Sequence, residues 1–169
     1  VSTATVSRCL NSPAQVQTTT RDRVLSAVAA LGYSPNFGAR ALAARRTGII
    51  GAIIPTMENA IFARAIQAFQ EELHLSGQTL LVASSSYSPE IEADQIRTLV
   101  ARGADALLLI GHDRDPGIYA FLEQRGVPVL IAWAFDPAQA RPSIGFDNRR
   151  AMACLADEVL RVGHRDIGM

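Results

Sequence analysis

The chain predicts an α/β fold, a doubly wound parallel sheet preceded by a short helical head, and three observations carry that reading. From Thr47 onward, short β-branched or aliphatic runs alternate with amphipathic helical stretches, the pattern of a sheet covered on both faces. Each of those helical stretches stops at a glycine, Gly77, Gly103, Gly126 or Gly163. A formal net charge of zero hides a division: residues 1–46 hold six arginines against the single acid Asp22, whereas residues 47–169 hold ten arginines against fifteen acids. A basic head on an acidic body expects a polyanion at the head alone.

The length of 169 residues suits one domain, or a small domain joined to a modest one. With 49% hydrophobic and 19% charged residues the chain can bury a core and is not disordered. No apolar run reaches the length of a membrane span, and the first residues lack a basic stretch followed by an apolar segment. Cys9 and Cys154 lie far apart, with no CxxC and no Cys/His cluster, which argues against a disulfide framework or structural zinc. A reducing, cytoplasmic setting without membrane association is expected.

In the head, Ser2 or Thr3 can cap a short helix that carries Val6 and Leu10 on one face, and Asn11-Ser12-Pro13 ends it. A second helix is expected from about Thr18 to Leu31, with Val24, Leu25, Val28 and Leu31 as its apolar stripe and Gly32 as its C-terminal stop. With Gln17 before it, capping of this helix falls to Thr18 or Thr19. The stretch from Asn36 to Arg45 is alanine-rich and poor in large apolar groups, so it is a marginal helix alone.

In the body, strands are expected at Gly48–Ile54, Thr79–Ser84, Asp105–Ile110, Val129–Trp133 and Ser143–Phe146. Helices fall between and after them at Asn59–Ser76, Pro89–Arg102, Pro116–Arg125 and Asp147–Val162. Phe62, Ile66, Phe69 and Leu73 recur at helical spacing and read as a core stripe. The residues Asp166-Ile167-Gly168-Met169 read as the start of a further strand, and Val1-Ser2 as the turn of a helix-turn-helix, so the fold is expected to be incomplete at both ends.

Enzymatic chemistry finds no footing: there is no GxSxG, Walker loop, GxGxxG or His/Glu metal spacing. Asp113 and Asp115 flank Arg114 in what reads as a solvated turn. No catalytic residue, metal site or cofactor is expected.

The phrases Val1-Ser2-x-x-Thr5-Val6-Ser7-Arg8-x-Leu10-Asn11, Thr20-Arg21-x-Arg23-Val24, Leu31-Gly32-Tyr33-x-Pro35-Asn36-x-x-Ala39-Arg40-x-Leu42, Ile50-Gly51-x-Ile53-x-Pro55, Asn59-x-x-Phe62-Ala63, Asp147-Asn148 and Gly163-His164-Arg165-x-Ile167 follow one another in order. Together they resemble the LacI/GalR family of bacterial transcription regulators over essentially the whole chain. Pro55-Thr-Met-Glu-Asn59, Tyr87-Ser-Pro-Glu90 and Ile144-Gly145-Phe146-Asp147-Asn148 look most like the gluconate repressors of that family. The resemblance implies a DNA-binding head at residues 1–35 lacking its first helix, a hinge helix at 36–46, and at 47–169 the first lobe of a periplasmic-binding-protein-like core. It implies operator DNA and a sugar or sugar acid as partners, and a homodimer when full length, because DNA half-sites mirror two-fold symmetry. A sugar-binding transport protein shares the lobe but has no use for residues 1–46.

On that reading Thr3, Ala4, Ser7 and Arg8 face base edges in the major groove, with Arg8 able to pair bidentately with guanine. Thr18, Thr20 and Arg21 meet phosphate where the second helix starts. In the hinge, Leu42 matches the family's minor-groove wedge, Ala39 allows close approach and Asn36 begins the helix. Effector candidates follow the strands: Asn59, Ile61 and Phe62 after the first, Tyr87 after the second, His112 after the third, Trp133 at the end of the fourth, Asp147 and Asn148 after the fifth. Aromatic faces suit sugar C–H surfaces and Asp or Asn suit hydroxyls. Asp147 is equally placed to cap the next helix, Phe62 to be core and His112 to be an unpartnered loop histidine.

Overall fold

The computed structural model describes residues 1–33, 38, 41 and 46–168. The chain divides into two compact units, Val1–Arg40 and Ala41–Met169.

In the first unit, helix α1 (Thr3–Asn11) is capped by Ser2, whose hydroxyl accepts from the Thr5 amide at 3.2 Å. A 3₁₀ turn at Pro13–Gln15 leads to α2 (Thr18–Ala30). Thr18 is already the first helical residue, and the capping position belongs to Gln17, which makes no side-chain cap bond. The expected threonine cap is therefore absent, and the helix start leaves its amides without that partner. At the other end Gly32 takes φ +58°, and the amides of Gly32 and Tyr33 donate to Ala29 and Val28. This pair of bonds is the Schellman closure that only a left-handed residue allows. Among the described residues of the unit Cys9 and Val24 are buried, and Val28 is half-buried. Leu25 and Leu31, expected in the apolar stripe, are exposed. Leu31 lines an apolar groove of about 460 Å³ together with Val6, Val24 and Val28, whereas Leu25 lies outside that groove.

The second unit is a five-stranded parallel sheet in the order β2-β1-β3-β4-β5, with β1 Ile49–Ile54, β2 Thr79–Ser84, β3 Ala106–Ile110, β4 Val129–Ala132 and β5 Ser143–Ile144. Helices α3 (Ala60–Leu75), α4 (Pro89–Ala101), α5 (Pro116–Gln124) and α6 (Asn148–Arg161) follow β1, β2, β3 and β5. Elements start and stop within a residue or two of their expected bounds, since polar caps and proline open the helices and glycines close them. Asn59, Ser88 and Asp115 cap α3, α4 and α5 through side-chain oxygens, and Pro89 and Pro116 occupy first-turn positions where a missing N–H costs nothing.

The entry to β1 is fastened to β3. The Asp105 carboxylate accepts from the amides of Thr47 and Gly48, and the Thr47 hydroxyl donates to the Gly103 carbonyl at 2.6 Å. One face of the sheet, through Ile53, Leu107, Leu109 and Ile131, packs with Ile96 and Leu99 of α4 and Ile118 and Leu122 of α5. The other face, through Ala52, Leu108 and Ala132, packs with Ile66 and Phe69 of α3. Phe62, Ile66, Phe69 and Leu73 thus form the expected inward stripe of α3. Helix α6 buries none of its residues, and Met152 and Leu155 stand more than half exposed.

Candidate functional site

In the head, the burial pattern sorts α1 into two sides. Thr5, Val6, Cys9 and Leu10 are buried or half-buried, while Thr3, Ala4, Ser7 and Arg8 are exposed, so the four sequence-derived candidates share one open face at the start of a capped helix. The Ser7 hydroxyl accepts from the Asn11 side-chain amide at 3.2 Å, which leaves its own proton for another partner. Thr18 is exposed, whereas Thr20 and Arg21 are half-buried, and Arg21 sits 3.5 Å from Asp22. The hinge candidates Asn36, Ala39 and Leu42 lie outside the described residues.

In the body, the strand order reverses between β1 and β3, and ligands of open α/β sheets bind beyond the carboxyl ends near such a reversal. Several candidates gather there. The Phe62 and Trp133 rings lie 5.2 Å apart at an interplanar angle of 55°, and the Asn148 side-chain amide donates to the Trp133 carbonyl at 3.4 Å. Gly111 donates its amide to the Ala132 carbonyl at 3.0 Å, so His112 and Trp133, the next residues along, leave adjacent strands at one level. The His112 ring has both nitrogens buried with no hydrogen-bond partner among the described residues. Buried imidazole nitrogens without partners are uncommon and call for one.

Other candidates are differently employed. Asp147 caps α6, its carboxylate accepting from the Arg150 amide at 2.9 Å, and Asn59 caps α3 by accepting from Ile61 at 2.9 Å. Each keeps unused acceptor capacity, so capping and ligand contact are compatible. Phe62 is buried core as well as a ring against Trp133. Ile61 is exposed, and so is Tyr87, which follows the edge strand β2, away from β4 and β5.

Backbone conformation marks the same rim. Among the described residues, those other than glycine with positive φ are Ser86 (+51°), Tyr87 (+62°) and Trp133 (+63°), all at carboxyl ends of strands. Such a conformation costs an L-residue about 1–2 kcal/mol, and strain of this kind collects at functional sites.

Two residues that matter here escaped the sequence reading. Gly145 follows β5 so closely against the next chain segment that a Cβ on it would overlap the Ala134 amide nitrogen and lie 2.6 Å from the Trp133 carbonyl carbon. The Phe135 amide donates to Phe146 at 2.9 Å across the same approach. Glycine at 145 therefore lets β5 press on the turn that carries Trp133. Gly145→Ala is expected to cost about 1–3 kcal/mol through overpacking against backbone. It should also red-shift Trp133 emission and raise its quenching by acrylamide. An unchanged tryptophan spectrum at unchanged stability contradicts this account.

The second is Arg114. The turn Asp113-Arg114-Asp115 was expected to be solvated, and both acids are exposed, but the Arg114 side chain is only 3% exposed. Its Nε and Nη2 donate to the two Glu92 oxygens at 3.1 and 2.8 Å, Nη1 to the Gly111 carbonyl and the Tyr119 hydroxyl at 2.8 Å each, and Nη2 also to the Ile110 carbonyl at 3.0 Å. Burial pulls the guanidinium pKa down, but hydrogen bonding and charge attraction from Glu92, helped by Tyr119, more than offset it and leave the group above its ordinary value. The pairing lies 22 residues apart in sequence, so no local pattern announces it.

A basic two-helix head and a parallel α/β lobe with aromatic and polar groups at its strand ends define a helix-turn-helix segment joined to a periplasmic-binding-protein-like lobe. Residues 1–36 match the family described as bacterial regulatory proteins, lacI family, and residues 47–169 match the periplasmic binding proteins and sugar binding domain of LacI family. The chain belongs to the LacI family. It is 32% identical over 151 residues to catabolite control protein A of Streptococcus mutans, covering 89% of this chain and 45% of that protein. It is 28% identical over 167 residues to the HTH-type transcriptional regulator GntR of Escherichia coli K12, covering 99% of this chain and 50% of that protein. A LacI-family transcriptional regulator from Silicibacter pomeroyi superposes with a TM-score of 0.80 at 31% identity, over 99% of this chain and 50% of that one. The lac repressor dimer bound to operator shares the fold, with a TM-score of 0.75 at 24% identity over 99% of this chain and 51% of that one. The chain spans about half the length of the curated relatives it matches.

Proposed function

We propose that the chain serves in a DNA-binding transcription regulator, a repressor acting in the cytoplasm as a homodimer rather than an enzyme, whose lobe responds to a sugar or sugar acid of the gluconate type. The observation that carries the DNA reading is the open face Thr3, Ala4, Ser7 and Arg8 at the start of a capped helix, inside the basic segment that matches the lacI family. Residues at such a helix start reach base edges, Thr18, Thr20 and Arg21 would hold phosphate, and Asn36, Ala39 and Leu42 would form the minor-groove hinge.

For the effector, Phe62 and Trp133 offer ring faces to sugar C–H surfaces, while His112, Asp147, Asn148 and Asn59 offer polar partners for hydroxyls, with Ile61 and Tyr87 at the margin. Support for gluconate comes from the relatives named GntR and from the phrases around Tyr87 and Asp147. Effector binding would act by shifting the population of DNA-competent dimers.

The test is base discrimination by Arg8. In a panel of palindromic duplexes varied one base pair at a time, Arg8→Ala should relax preference at one position per half-site by about 1–3 kcal/mol, with little change elsewhere. A uniform loss across all duplexes would reduce Arg8 to a phosphate contact, and no change would remove α1 from the interface.

A further inference from the structure

We propose that Arg114 is a positioning residue for the effector site: locked to Glu92, it holds the β3–α5 loop in the one shape that keeps the His112 ring buried, with both nitrogens unpartnered until a ligand hydroxyl reaches them. The inference rests on the effector reading above for the ligand, but the clamp itself is carried by geometry. All five guanidinium protons of Arg114 are directed at acceptors: two at Glu92 in the first turn of α4, two at the last carbonyls of β3 and its extension, Ile110 and Gly111, and one at Tyr119 of α5. The Tyr119 hydroxyl in turn donates to the His112 carbonyl at 3.0 Å. The Arg141 guanidinium lies 3.7 Å from the Tyr119 ring centre and pairs with Glu123 of α5 at 2.8 Å.

The loop from Gly111 to Asp115 is thereby fastened through the Arg114 side chain to α4, α5 and the end of β3, and through the His112 carbonyl to α5, and Gly111 at φ +71° makes the bend that starts it. A buried ion pair adds little stability over a well-packed apolar replacement, so its presence is better explained by the shape it imposes. The shape it imposes includes that of His112, two residues before it, whose ring nitrogens find no partner among the described residues. Groups that contact ligand need such support from behind to keep their orientation.

The experiment follows the histidine rings of the whole chain by NMR, with His112 assigned through His112→Gln and the exposed His74 and His164 as internal references. In the unaltered chain the His112 ring should be protected from a soluble paramagnetic agent. In Arg114→Lys, which keeps the charge but cannot make the fork, its relaxation enhancement should rise at least threefold towards that of His74. The double variant Glu92→Leu with Arg114→Met removes the ions together and should keep the thermal midpoint within a few degrees while exposing His112 equally. Unchanged protection of His112 in both variants overturns the proposal. So does loss of folding in both, which would make the pair a requirement of the fold rather than of the site.

A separate arm adds millimolar gluconate, with glucose as the neutral control. A gluconate shift of the His112 resonance in the unaltered chain that needs at least tenfold more ligand in the double variant supports the clamp and the effector reading together. If neither compound moves His112 in the unaltered chain, the effector reading loses its support, and the clamp is decided by protection alone.

Discussion

Raising the salt concentration from 50 to 200 mM is expected to weaken binding of the chain to duplex DNA by roughly 500-fold, the loss that about five neutralised phosphates produce at a log–log slope near −4.5. The figure of five follows from the surplus of positive charge in residues 1–46, where six arginines stand against Asp22. Among the described residues of that segment Arg8, Arg23 and Arg46 are exposed, so the charge is available to a polyanion. Every cation in the chain is a guanidinium, since the sequence contains no lysine, and the planar fork suits bidentate phosphate contact. The net negative charge of residues 47–169 would add repulsion rather than further phosphate contacts, so five is the expected number. Fluorescence anisotropy of a labelled duplex across four or five salt concentrations reads the slope directly. A slope shallower than about −1 would leave the head without a phosphate footprint and remove the ground for placing α1 on DNA.

The parts of the fold that depend on neighbours in sequence were legible, and the parts that depend on neighbours in space were not. Strand and helix order followed from aliphatic runs and glycine stops because these are local devices. Gly77, Gly103 and Gly126 do adopt positive φ where helices turn into the next strand, and Gly163 does so after α6. At the other end of the sheet the chain does the opposite, placing Ser86, Tyr87 and Trp133 in that same conformation without the relief of glycine. Composition gives no sign of this, since the strain is imposed by tertiary packing. Trp133 was legible as a candidate because a tryptophan at a strand end is hard to bury. Gly145 was not, because its own backbone is ordinary and its importance lies in what passes beside it. The capping oxygens of Asn59 and Asp147 were legible in position only, as a cap and a ligand contact draw on the same residue types. Arg114 was misread because two flanking aspartates are the local signature of a wet turn, while its true partner Glu92 belongs to another helix. Leu25 and Leu31 show the converse error: helical spacing identifies a stripe but cannot say how much of it is covered.

Truncating Leu109 to alanine is expected to cost the lobe about 2–5 kcal/mol, the range for deleting a buried leucine from a close-packed core. Leu109 is fully buried in β3, the central strand of the five, where it is paired with Ile53 of β1 and Ile131 of β4. All three side chains belong to the face packed with Ile96 and Leu99 of α4 and Ile118 and Leu122 of α5. A cavity at Leu109 therefore removes contacts from two strands and two helices at once, and the parallel ladder on either side of β3 prevents the backbone from closing over it. Leu130 on β4 supplies the contrast: it stands one residue before Ile131, points to the other side of the sheet and is 37% exposed, so Leu130→Ala should cost about 1 kcal/mol or less. Urea unfolding followed by Trp133 emission, which reports on the lobe, should move the Leu109→Ala midpoint far down at an unchanged slope, since the surface exposed on unfolding hardly changes. If Leu109→Ala and Leu130→Ala shift the midpoint equally, the two sides of β3 and β4 are covered alike. The face against α4 and α5, which also anchors the strand leading to Arg114 and His112, would then not be the rigid base on which the candidate site is built.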